Sequence, residues 1–216
     1  MMKKTLFWTL RATILVILPF MVLIRGSVYL HEHMNVFPRL ALFGGVALTF
    51  VLLFIYFTFF YGRLTGEWGS VGSFRRRAII LVLFIAAYCG YALFYVSGSN
   101  VKSPEIAREF RNLHPILRLG ISTVIFLDPT LLITDADRLP EDYDKMGLQR
   151  KSQSLHYRQD DGYVHAVDIR TNGRSALRNW FLKVYFKSMG FNVLRHVGTA
   201  DHLHISLQSR NIPSAI

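Results

Sequence analysis

The sequence predicts a two-part protein: an α-helical membrane region over residues 1–100, and an α+β domain with a small antiparallel sheet over residues 101–216. Three observations predict it. Hydrophobic residues make up 51% of the 216-residue chain, too many for one ordinary soluble domain. They gather in the first part as three long apolar runs, while the charge gathers after them. The second part instead mixes short β-rich runs with amphipathic helical spacing, the signature of a mixed sheet and helix layer.

Lys3, Lys4 and Arg11 open the chain, and Ala12 to Ile24 is almost purely apolar. No small-x-small cleavage site precedes Arg25-Gly26-Ser27, so an uncleaved span from about Thr5 to Ile24 is expected. Leu40 to Tyr61 is a second run, opening after Pro38-Arg39 and ending at Gly62-Arg63. The third, Ala78 to Val96, is entered from Arg75-Arg76-Arg77 and left through Ser97-Gly98-Ser99-Asn100. A run of about 20 apolar residues crosses a bilayer, and the second and third carry no internal charge. Lys3 and Lys4 precede the first span, and Arg63 and Arg75 to Arg77 lie between the second and third. The positive-inside rule then puts the amino terminus and second loop in the cytoplasm and residues 101–216 outside. His31-Glu32-His33, in the loop from Arg25 to Arg39, reads as an exposed polar segment with no further ligand near it in sequence.

In the second part, Ser103-Pro104-Glu105 starts a helix, with Ser as cap and Pro in the first turn. Ile106, Phe110 and Leu113 follow at helical spacing, whereas His114 to Leu127 reads on its own as either helix or strand. Leu131 to Thr134 is a strand leading into Asp135-Ala136-Asp137-Arg138, and residues 139–153 are a polar, irregular loop. Tyr163 to Arg170 is rich in β-formers. Asn172 to Met189 is a helix whose stripe of Leu177, Trp180, Phe181, Val184, Tyr185 and Met189 is expected in the core, with Gly190 closing it. Phe191 to Val197 and His202 to Gln208 complete the sheet.

A formal net charge of +11 raises the question of nucleic acid. That class is set aside, because much of the excess flanks the membrane runs. The remainder suits an anionic polymer or a lipid surface. Cys89 is alone, so no intrachain disulfide is possible.

The chemistry concentrates in the last third. His156, Asp168 and the His202–His204 pair can offer two imidazoles and a carboxylate, a set that suits three-coordinate Zn²⁺ with an open fourth position. On the strand, Asp168 shares a face with Ala166, while His165 points the other way and lies outside this ligand set. Asp160-Asp161-Gly162 is a turn signal that lets His156 fold back toward Asp168, with Gly162 in the left-handed region. His202 and His204, two apart, share a face.

Ser154-Leu155-His156-Tyr157, then Ala166-Val167-Asp168-Ile169, an amphipathic helix, Gly190-Phe191 and the closing His202-Leu203-His204 together carry a resemblance. Over residues 113–208 the chain resembles the hedgehog amino-terminal domain and the bacterial zinc D-Ala-D-Ala carboxypeptidases and dipeptidases that share its fold. The resemblance implies that His156, Asp168 and His204 bind zinc and that His114 to Leu127 is a helix. It implies that Asp201 is the general base, that Arg138 anchors a substrate carboxylate or the oxyanion, and that His202 is an additional active-site histidine. Ser154, beside His156, is expected to hold a polar group of the substrate. Two departures stand out. His156 and Asp168 are twelve apart where the family has seven, and Asp201 occupies a place that holds Glu in the dipeptidases, while Gly198 occupies the Glu position of hedgehog proteins. The expected protein is a zinc peptidase of the bacterial inner membrane acting on peptidoglycan peptides. The alternative is a non-catalytic, zinc-stabilised binding or sensor domain on the same anchor.

Overall fold

Runs too apolar and too long for a soluble element form the first three helices, α1 (Met2–Glu32), α2 (Pro38–Thr65) and α3 (Val71–Phe94). The structure, a computed structural model, describes residues 2–66, 68–145, 147, 149, 154–198 and 201–208. Among the described residues these three helices are long and apolar enough to cross a membrane, as a multi-pass protein requires.

α1 continues past Ile24, the expected end, to Glu32. Nothing in Arg25-Gly26-Ser27 breaks it, because Ser27 Oγ donates to Leu23 O at 2.6 Å and satisfies its own hydroxyl inside the helix. The turn comes only at Asn35, with φ at 60°, just before Pro38 opens α2. Gly45 lets α1 and α2 approach closely: a Cβ there would stand 2.6 Å from Leu23 O and 2.0 Å from Ser27 Oγ.

After the short α4 (Pro104–Glu109), α5 (Pro115–Leu127) is a helix, and all ten residues from Pro115 to Val124 are buried. It is too short to span a bilayer and sits between the long helices and the rest of the chain. Arg118 donates to Leu93 O at 2.8 Å and Ser122 to Ala92 O at 2.8 Å, so α5 satisfies the carbonyls at the end of α3. On the other side Tyr185 donates to Gly120 O at 2.8 Å. One core therefore runs from Leu23, Ile24, Val28, Ala41 and Ala92 through Leu117 and Ile121 to Val167 and Ile205. Residues 1–100 and 101–216 differ in composition but are joined by a common interior.

β1 (Ile133–Asp135), β2 (Ala166–Arg170), β3 (Asn192–His196) and β4 (His202–Ser206) form an antiparallel sheet in the order β1-β2-β4-β3. Asp168 pairs with His204 and Arg170 with His202; across the next ladder His202 pairs with His196. Period-two alternation then divides the sheet. Val167, Ile169, Leu203 and Ile205 enter the core, while Asp168, His204, His202 and His196 share the opposite face.

α7 (Ala176–Ser188) starts at Ser175, whose hydroxyl accepts the Arg178 N–H at 3.3 Å. Its buried residues are Asn179, Leu182, Tyr185 and Phe186, followed by Met189. Of the stripe expected in the core, Tyr185 and Met189 are buried, but the other four residues face outward: Leu177 is 72% exposed and Trp180 60%, with Phe181 and Val184 also exposed. The helix is apolar on two sides, and the contact of Phe186 and Phe191 beside Gly120 decides which side is buried. The segment read as a loop contains a helix, α6 (Pro140–Lys145). Residues 146, 148 and 150–153 of that segment lie outside the described residues.

Candidate metal centre

β2 and β4 fix two members of the site by register alone, since Asp168 and His204 are directly paired on the face away from the core. His156 comes from the segment before β2. Gly162, with φ at 81°, closes a turn in which Gln159 N–H donates to Tyr163 O at 2.9 Å. His165 N–H then reaches Leu155 O, and Arg138 N–H reaches His156 O, each at 3.0 Å. These bonds bring His156 over the middle of β2.

The three donor atoms form a small triangle. His156 Nε2 lies 3.2 Å from His204 Nδ1 and 3.3 Å from Asp168 Oδ1, and His204 Nδ1 lies 2.9 Å from Asp168 Oδ1. A tetrahedral zinc with bonds of about 2.0–2.1 Å separates its ligand atoms by about 3.3 Å, so the donors stand where such an ion needs them. The ring proton is also correctly placed on His156. Its Nδ1 donates to Ala136 O at 2.8 Å, leaving a lone pair on Nε2, the usual outer bond of a metal-ligating histidine.

Electrostatics tie the group together. Burial alone would raise the Asp168 carboxyl, but His156 and His204 outweigh it and hold the group well below the usual carboxylate range. Burial would likewise depress His156, and the Asp168 charge overcomes that and raises it. Asp168 and His156 are nearly inaccessible, whereas the His204 side chain is 13% exposed and that of His202 is 23%, so the site opens toward β4.

Arg138 is committed to carboxylates. Its Nε donates to Asp135 Oδ2 at 2.6 Å and its Nη2 to Asp168 Oδ2 at 2.8 Å. It therefore braces a candidate ligand. Ser154 is buried, and its hydroxyl accepts from Tyr143 at 3.1 Å and from the His156 N–H at 3.2 Å. It shapes the His156 segment. Asp201 continues the alternation of β4 on the side opposite His202 and His204. Its carboxylate accepts from Arg195 at 2.7 and 3.1 Å and from Thr171 Oγ1 at 2.5 Å. Those bonds, Arg195 first, lower it to about 2. A carboxylate so tied and so acidic is a poor base at neutral pH.

His202 does lie with the triad, its Nε2 3.5 Å from Asp168 Oδ2. Beyond it His196 stacks on His202 with ring centres 4.9 Å apart. Sequence reading passed over His196, although its parity with His202 across the hairpin was the available signal. His165 points to the opposite side of β2, where its Nε2 meets Asp161 Oδ2 at 2.9 Å. His31-Glu32-His33 is not a free loop: His31 stacks against His114 at 4.7 Å, and Glu32 accepts the Gln208 N–H at 2.7 Å. The extension of α1 carries these residues onto the sheet domain. Comparison with known proteins finds no matching family model, no matching curated protein and no matching solved structure.

Proposed function

We propose that the protein is a membrane-anchored zinc peptidase that acts on peptidoglycan peptides at the outer side of a bacterial cytoplasmic membrane. The observation that carries this reading is the triangle of His156, Asp168 and His204, with sides of 2.9, 3.2 and 3.3 Å. The resemblance in Ser154 to Tyr157, Ala166 to Ile169 and His202 to His204 supports the substrate class, and the placement of basic residues around the spans supports the orientation.

In this reading His156 Nε2, Asp168 Oδ1 and His204 Nδ1 hold the ion. A bound zinc supplies Lewis-acid polarisation of the scissile carbonyl and acidifies a water molecule. Arg138 keeps Asp168 in place by binding its second oxygen, and Ala136 O keeps His156 in the ligating tautomer. His202 takes the position of general base that Asp201 does not fill, standing at the accessible edge of the triad and on its face. His196 stacks on the His202 ring and orients it.

A second reading has its own observation. Asp201 and Arg138, two residues that the peptidase pattern uses in catalysis, are both bound within the protein. That favours a zinc-stabilised binding domain. Full-length protein in detergent, loaded with zinc and incubated with muropeptides, separates the two. Cleavage by the wild type that is lost with His204→Ala is the expected result. Zinc held by His204 with no cleavage of any muropeptide would leave the binding domain. Absence of zinc from the triad would defeat both.

A further inference from the structure

We propose a second site for a zinc-like divalent cation, on the core side of β2, with His31, His114 and Asp161 as ligands. The three come from separate parts of the fold: the last turn of α1, the residue capping α5, and the turn before β2. Each offers a ligand atom, and these atoms all lie within 4.8 Å of one another. His114 Nε2 is 3.8 Å from Asp161 Oδ2, too far for a direct hydrogen bond.

The tautomer of His31 suits a cation. His31 Nδ1 faces Val36 O at 3.0 Å, and a carbonyl only accepts, so the proton sits on Nδ1 and the lone pair on Nε2. Ala136 O does the same for His156 at the first site. His114 is completely buried, and its Nε2 has no hydrogen-bond partner among the described residues. His165 Nε2–H, donating to Asp161 Oδ2 at 2.9 Å, is the outer partner that orients the carboxylate.

The plainer account is a stack of neutral histidines around one aspartate. It leaves the buried His114 Nε2 unmatched, an expensive arrangement, whereas His165 Nδ1 is unmatched in either account. A cation on His114 Nε2 moves the ring proton to Nδ1 and so displaces the Ile116 N–H that now approaches Nδ1 at 3.3 Å. The cation would be enclosed by protein and would fasten the end of α1 to the sheet domain, a structural role distinct from that of the open triad.

The inference stands independently of the peptidase reading, and metal counting tells them apart. Full-length protein in detergent is stripped with a chelator, reloaded with zinc and freed of excess. Two zinc ions per chain are expected for the wild type, one for His204→Ala, one for His31→Gln and none for the double variant. One zinc that is lost with His31→Gln but kept by His204→Ala supports this site and removes the first. One zinc lost with His204→Ala and unaffected by His31→Gln overturns it. Should His31→Gln fail to fold, cobalt(II) added to folded His204→Ala decides the matter. Histidine-ligated cobalt absorption, with faster amide exchange at Ile116, supports the site, and no bound cobalt overturns it.

Discussion

Two groups of histidine and aspartate lie on opposite faces of β2, and their construction differs. At His156, Asp168 and His204 the donor atoms are within 3.3 Å of each other, and the carboxylate is also gripped by Arg138. At His31, His114 and Asp161 the atoms lie within 4.8 Å of one another, and the group joins the end of a long apolar helix to the sheet domain. The first group is preorganised by one ladder of backbone hydrogen bonds, which fixes two of its members by register. The second depends on how α1 meets α5. Residues three apart, His165 and Asp168, thus face different groups because a strand turns alternate side chains to opposite faces.

The largest effects should come from breaking the tight group. His156→Ala or His204→Ala is expected to abolish zinc binding there and reduce muropeptide cleavage below detection, whereas His165→Ala should spare both, as elemental analysis and product chromatography would show. Next is His202→Ala, which should retain the zinc and lower turnover by about 10²–10⁴-fold, the usual contribution of a general base. Wild-type turnover in that variant would move the base elsewhere, with His196 the nearest alternative on that face.

Arg138→Ala tests the brace. It leaves Asp135 and buried Asp168 without their cation, and loss of one partner of such a pair costs about 3–5 kcal/mol. Denaturant unfolding in detergent should show that loss in metal-free protein and a smaller one with zinc, since the ion replaces the missing charge. Protons compete for the same site. Asp168 raises His156, so zinc affinity should fall as the pH drops through neutrality, in calorimetric titrations.

The smallest effect belongs to Asp201. Asp201→Asn should change turnover only a few-fold at most, because the carboxylate lies across the sheet from the triad. Its role is to tie the hairpin through Arg195 and Thr171. The folded group titrates at about 2 against an ordinary 3.8, so its stabilisation is fully present above 3.8 and disappears as pH falls through about 2. Amide exchange in β3 measured down that range should accelerate in the wild type and start fast in Asp201→Asn.

What the sequence disclosed follows the range of the physics involved. The spans were legible because a bilayer requires long apolar runs, whatever else the chain does. The sides of Asp168 and His165 were legible because strand period is local. α7 is legible as a helix, but Leu177, Trp180, Phe181 and Val184 lie outside the core because apolar residues occupy both of its sides, and Phe191 and Gly120, elsewhere in the chain, select the buried one. Asp201, Ser154 and Arg138 have the right chemistry for a site, but Arg195, Tyr143 and Asp168 already engage them. His31 was dismissed for want of neighbours, and its neighbours arrive from residues 114 and 161.

The burial of α5 also dictates an order of assembly during biosynthesis. Its thirteen residues touch α1, α2 and α3 on one side and α7 on the other, with Ile116, Leu117, Leu119 and Ile121 fully enclosed. A nascent chain whose first three helices have not come together offers α5 little beyond α7 to settle on. Insertion therefore comes first and formation of the candidate metal face second. Chains that miss the membrane would be left as unassembled material for chaperones and proteases, so the candidate centre would form only where the spans are inserted.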